Sequence, residues 1–171
     1  PTEGEILLNN VDIRKYDYKE YMSIFSVVFQ DFKLFSFGLG QNVSASFHYN
    51  EELAKRCLEK AGFYERLQSM KKGLETSIYK DLDEEGVEIS GGEAQKIALA
   101  RALYKNAPFI ILDEPINALD EVSVEKVHDI LDEQKKRDAV IIIACHDKEE
   151  LDQLSDEIIE ISDGKIINKT C

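Results

Sequence analysis

Two apolar runs constrain this chain most. Phe109-Ile110-Ile111-Leu112 and Ala139-Val140-Ile141-Ile142-Ile143-Ala144-Cys145 are strand-sized and carry no polar alternation, so each is expected to lie buried on both sides. Between them Asp120 can cap a helix whose inward positions Val124, Val127, His128 and Leu131 recur at i, i+3, i+4 and i+7. A third run, Ile24 to Phe29, precedes a helical pattern from about Gly91 to Asn106. That pattern places Ile97, Ala98, Arg101 and Ala102 on one face, and Pro108 breaks it. Apolar strands alternating with helices imply an α/β fold with a parallel sheet covered on both faces.

The remaining segments fill in around this frame. Glu5 to Ile13 reads as a short strand and turn. Asn50 can cap a helix carrying Leu53, Ala54, Cys57, Leu58 and Ala61, with Gly62 as its end. Residues 63–89 are less regular, and the acidic stretch Asp81 to Glu85 before Gly86 reads as a loop. Asp147 and Glu150 form a capping-box pattern for a short helix through Leu151 and Leu154. Asp163-Gly164, between Ile158–Ile161 and Ile166-Ile167, is a hairpin signal.

With 171 residues, 43% of them hydrophobic, the chain can build one domain with a real core. Its net charge of −13 argues against a general nucleic-acid binder. No apolar run approaches the length of a membrane span, and no signal peptide is visible. Cys57, Cys145 and Cys171 form no C-x-x-C pair, so neither a disulfide framework nor a zinc site is suggested and cytosolic residence is the simplest expectation. The chain opens on Pro1 and its first methionine is Met22, so it is expected to begin inside a larger or processed gene product.

In open parallel sheets, ligands bind beyond the carboxyl ends of the strands. Gln30, Asp113-Glu114 and His146 each follow an apolar run directly, so in one sheet they converge on a common edge. Of two adjacent carboxylates, one can hold Mg²⁺ through water and the next can orient or deprotonate an attacking water; the plainer reading is an acidic strand end before Pro115. Ser90-Gly91-Gly92-Glu93 is a capping box, Ser90 at the cap and Glu93 at the third helical position. The box does not explain the glycines, each costing up to about 1 kcal/mol against Ala inside a helix. Bare amides at a helix start suit an anion such as phosphate.

Taken together, these residues resemble the nucleotide-binding domain of ABC transporters. Ile89-Ser90-Gly91-Gly92-Glu93 is similar to that family's signature motif, with Glu for the commoner Gln. Phe109-Ile110-Ile111-Leu112-Asp113-Glu114 resembles its Walker B strand, Asn117-Ala118-Leu119-Asp120 its D-loop with Asn in place of Ser, Gln30 its Q-loop glutamine and His146 its switch histidine. The resemblance spans the whole chain in the family's order. It implies a P-loop NTPase-like (RecA-like) core with a mostly parallel sheet, formed by residues 1–30 and 107–171, with its N-terminal part missing. It implies likewise that residues 31–106 form the inserted α-helical signature subdomain.

By that resemblance Asp113 and Gln30 serve Mg²⁺, Glu114 polarises the attacking water and His146 contacts the γ-phosphate of ATP. Ser90, Gly91, Gly92 and Glu93 meet the ATP of an opposite subunit in a head-to-tail dimer, and Asp120 links the two sites. The implied partners are a second nucleotide-binding domain and a transmembrane domain at the cytoplasmic face of the membrane, and no nucleic acid. Leu34-Phe35-Ser36 and Glu84-Glu85-Gly86 resemble exporter segments, whereas His146-Asp147-Lys148-Glu149-Glu150 is closer to importers. Export is the favoured direction. A soluble ABC-type ATPase of DNA repair or translation, and a degenerate cassette that only dimerises, are the rival readings. No G-x-x-x-x-G-K-[ST] loop exists in the sequence; the Gly-Lys pair at 164–165 is followed by Ile166. That loop supplies phosphate amides and a lysine charge, so the chain alone is expected neither to bind ATP tightly nor to hydrolyse it.

Overall fold

The computed structural model describes residues 3–116 and 119–170, without the side chains of residues 148–150. A two-stranded antiparallel ribbon, β1 (Leu7–Leu8) and β2 (Val11–Asp12), leads through a 3-10 turn into α1 (Tyr18–Ser23), capped by the Asp17 carboxylate. Next come β3 (Phe25–Val28), then α2 (Leu39–Ser44), α3 (Glu51–Lys60), α4 (Tyr64–Ser69) and α5 (Gly91–Lys105). The chain then alternates through β4 (Phe109–Asp113), α6 (Glu121–Lys135), β5 (Val140–Ala144) and α7 (Lys148–Leu154), and ends in the hairpin β6 (Ile158–Ser162) and β7 (Lys165–Thr170).

The central sheet is parallel in the order β3-β4-β5, with Val28, Leu112 and Ile143 in register. The three strands therefore end side by side, as the positions of Gln30, Asp113-Glu114 and His146 require. The register also defines two faces. Ser26, Val28, Ile110, Leu112, Ile141 and Ile143 line the one that meets the main core. Ser26 donates its hydroxyl proton to the Ala102 carbonyl of α5, so a polar group on this face is satisfied without opening the packing.

The opposite face corrects the expectation of a sheet covered on both sides. Val140 and Ile142 are 49% and 50% exposed there, and Phe25, Val27, Phe109 and Ile111 are only partly covered. Among the described residues the main core draws its sheet members from the first face alone. The apolar runs were thus read correctly as strands, but continuous hydrophobicity reports what a strand could bury rather than what this chain lays against it.

The helices follow their caps. Asn50 accepts from the Leu53 amide and starts α3, whose stripe Ala54, Cys57 and Leu58 is buried; Gly62, at φ +76°, turns the chain out of the helix. Asp120 accepts from the Ser123 amide at 2.8 Å and starts α6. On α6 the buried stripe is Ser123, Val127, Ile130, Leu131 and Gln134, rotated from the expected one so that Val124 and His128 stand at its margin. Asp163 and Gly164 both have positive φ, the geometry a two-residue hairpin turn needs. The capping role expected of Glu150 lies outside the described side chains. No helix among the described residues is long and apolar enough to cross a membrane.

Candidate functional site

Beyond the ends of β4 and β5 the chain brings two of the expected side chains into contact. The imidazole Nδ1 of His146 lies 2.6 Å from Oε1 of Glu114. Glu114 is 13% exposed on its side chain and His146 77%, so the pair presents an open imidazole above a sheltered carboxylate. Such a pairing holds the ring in one orientation. Asp113 is the last residue of β4, in register with Ala144. Gln30 stands two residues past the end of β3, exposed to solvent at the same edge.

Glu114 owes its position to its backbone. Its φ is +51°, a left-handed conformation uncommon for a residue with a side chain. Two bonds hold it: its amide donates to the Ala144 carbonyl at 2.9 Å, and its carbonyl accepts from the side-chain amide of Gln95 at 3.2 Å. The same Gln95 nitrogen also donates to the Pro115 carbonyl. Gln95 is 8% exposed and sits in the second turn of α5, so it joins the start of that helix to the loop after β4. Sequence reasoning passed over it. The available signal was a glutamine on the stripe that continues through Ile97, Ala98 and Ala102, an expensive place for an unpaired amide. Replacing it by Leu is expected to lower stability by about 1–3 kcal/mol, since two carbonyls lose their donor. Denaturant unfolding measures this, and an unchanged midpoint would refute it.

Ser90 to Glu93 form the capping box anticipated from the sequence. The Ser90 amide donates to Oε2 of Glu93 at 2.9 Å, and the Glu93 amide donates to Oγ of Ser90 at 3.3 Å. Ser90 and Gly91 are exposed, and a Cβ built on Gly91 meets nothing within 4 Å. Packing among the described residues therefore gives no reason for glycine at 91. Gly92 is half-buried beside it. Asp120 caps α6; its pKa is lowered, chiefly by the hydrogen bond with the Ser123 side chain. Asn117 and Ala118, the rest of the segment likened to a D-loop, lie outside the described residues.

The loop after Gln30 is organised by two further residues. Asn42, buried on α2, accepts from the Phe35 amide at 2.8 Å and donates to the Phe35 carbonyl at 2.9 Å. Arg101 donates from α5 to the carbonyls of Asn42 and Lys33. Among the described residues no group of three or more His, Cys, Asp or Glu could hold a metal ion by itself. A metal at this edge would draw on Asp113 and Gln30 and on oxygens brought by its ligand.

Comparison with known proteins agrees with this architecture. Residues 1–117 match the model of the family described as ABC transporter. The chain is 36% identical over 168 residues to the ATP-dependent lipid A-core flippase of Vibrio vulnificus (strain CMCP6), covering 97% of this chain and 28% of the flippase. It is 34% identical over 171 residues to ABC transporter B family member 28 of Arabidopsis thaliana, covering 98% and 23% of the two. The chain thus spans about a quarter of the length of these relatives. A bacterial Atm1-family ABC exporter solved with ATP bound superposes at a TM-score of 0.83, with 24% identity, over 98% of this chain and 28% of that one. At that identity the likeness speaks for the fold. The chain belongs to the ABC transporter family and has the α/β fold of its ATP-binding domain.

Proposed function

We propose that the intact domain binds and hydrolyses Mg-ATP and that hydrolysis drives export across a membrane. The observation that carries this reading is the Glu114–His146 contact at the carboxyl end of a parallel sheet. In it Glu114 polarises the attacking water, His146 reaches the γ-phosphate, and Asp113 with Gln30 steadies Mg²⁺. Residues 31–106 act as the signature subdomain within a core of residues 1–30 and 107–171. Ser90, Gly91, Gly92 and Glu93 complete the ATP site of a second nucleotide-binding domain, with Asp120 between the two sites. The open space at Gly91 supports this, because an approaching phosphate needs it.

A transmembrane domain is the second partner, with the ATPase on the cytoplasmic face. The rings of Phe35 and Phe37 lie 6.3 Å apart and those of Phe37 and Phe47 5.8 Å apart, all three exposed. Phe37 and Phe47 border a cavity of about 680 Å³ that Leu82 and Asp83 also line. Solvent-facing aromatic clusters of this kind suit a protein partner.

The phosphate-binding loop G-x-x-x-x-G-K-[ST] is absent from these 171 residues. We therefore expect the chain by itself to show neither tight nucleotide binding nor turnover. Calorimetry with Mg-ATP tests this: micromolar binding by residues 1–171 would sink it. Mg-ATP hydrolysis by the intact domain tests the function itself, and a domain that carries the loop yet leaves ATP untouched would overturn the reading.

A further inference from the structure

The glutamate of the capping box raises an electrostatic difficulty. Glu93 accepts the Ser90 amide, which sets a full negative charge in the first turn of α5. Those are the amides on which an anionic phosphate is to dock, and like charges at close range repel. A glutamine at 93 could make the same bond without the charge.

Arg66 of α4 meets that charge. Its Nε lies 2.8 Å from Oε1 of Glu93, off the N–H axis, so the contact is an ion pair rather than an aligned hydrogen bond. Nη2 of the same guanidinium donates to the Glu88 carbonyl at 3.3 Å. One side chain thus grips the segment on both sides of Ser90. The opposite carboxylate oxygen, Oε2, stays on the Ser90 amide. Arg66 is half-exposed and Glu93 less so, which leaves the pair partly sheltered from screening.

We propose that Arg66 is a positioning residue of the signature turn: it neutralises Glu93, so that Ser90–Gly92 can accept an anionic phosphate although the turn carries a glutamate. This rests on the phosphate-binding role given to Ser90–Gly92 under Proposed function. Arginine suits the task because it stays charged and carries several donors in a fixed plane.

The test uses the intact domain and two readouts: the Mg-ATP concentration that half-saturates dimer formation in sedimentation, and the KM of hydrolysis. Arg66→Met is expected to raise both by about tenfold with kcat little changed. In the double variant R66M/E93Q both values should return to those of E93Q alone, because no charge then needs neutralising. Arg66→Lys should fall between wild type and Met. Should Arg66→Met fail to fold, Arg66→Gln carries the same expectations. An unaltered single variant overturns the proposal. So does a double variant as impaired as the single one, because Arg66 would then act by packing or by touching nucleotide. A wild type that ignores Mg-ATP overturns the functional reading and this inference with it; a responsive wild type with an indifferent Arg66 variant overturns the inference alone.

Discussion

Exchanging Glu114 for Gln in the intact domain is expected to lower ATP turnover by about a hundred- to ten-thousand-fold while Mg-ATP still binds. The substitution keeps the length and planarity of the side chain. It also keeps an acceptor for His146, whose Nδ1 lies 2.6 Å from Oε1. The backbone should hold as well, because the left-handed turn at 114 is fixed by bonds from its own amide to Ala144 and to its carbonyl from Gln95. Only the negative charge and basicity are lost, which are what a water-activating group needs. Phosphate release measured beside nucleotide calorimetry separates the two effects. Turnover at the wild-type rate would remove Glu114 from the chemistry, and loss of binding would show that its charge served the nucleotide or its metal instead.

The second large effect concerns the sheet beneath the site. Leu112→Ala is expected to destabilise the domain by about 2–5 kcal/mol, a large share of the roughly 5–15 kcal/mol that holds a domain folded. Leu112 is fully buried on the central strand, with Val28 and Ile143 as its register neighbours. Alanine there opens a cavity over the core face of the sheet, beside Val28 and Ile143, which the hydrogen-bonded strands cannot close by moving together. The residue also directly precedes Asp113 and Glu114, so relaxation of β4 should displace both carboxylates. Chemical unfolding followed by fluorescence or circular dichroism reads the loss, and a change below about 1 kcal/mol would mean that the sheet collapses around the gap.

Much of this arrangement was legible in the chain. The runs at 24–29, 109–112 and 139–145 became the three parallel strands, and Ser90, Asn50 and Asp120 capped the helices they precede. The hairpin at Asp163-Gly164 was equally plain. These features depend on short-range physics: a strand ends where apolar residues end, and a cap needs its oxygen within three residues of the amide it accepts. The register that set Gln30, Asp113-Glu114 and His146 on one edge follows from the same runs.

Other features were decided only by the tertiary structure. The sequence determined that Glu93 closes a capping box, but not that Arg66 faces its carboxylate from a different helix. It showed that Gln95 lies near the start of α5, but not that its amide reaches the carbonyls of Glu114 and Pro115. It marked three strands as apolar throughout, yet one face of their sheet is only partly covered among the described residues. The physical reason is common to all three. Periodicity and capping register what a residue does to its own segment, whereas an ion pair, a buried amide bond or a covered face depends on which distant segment arrives opposite, and that is settled by packing of the whole chain.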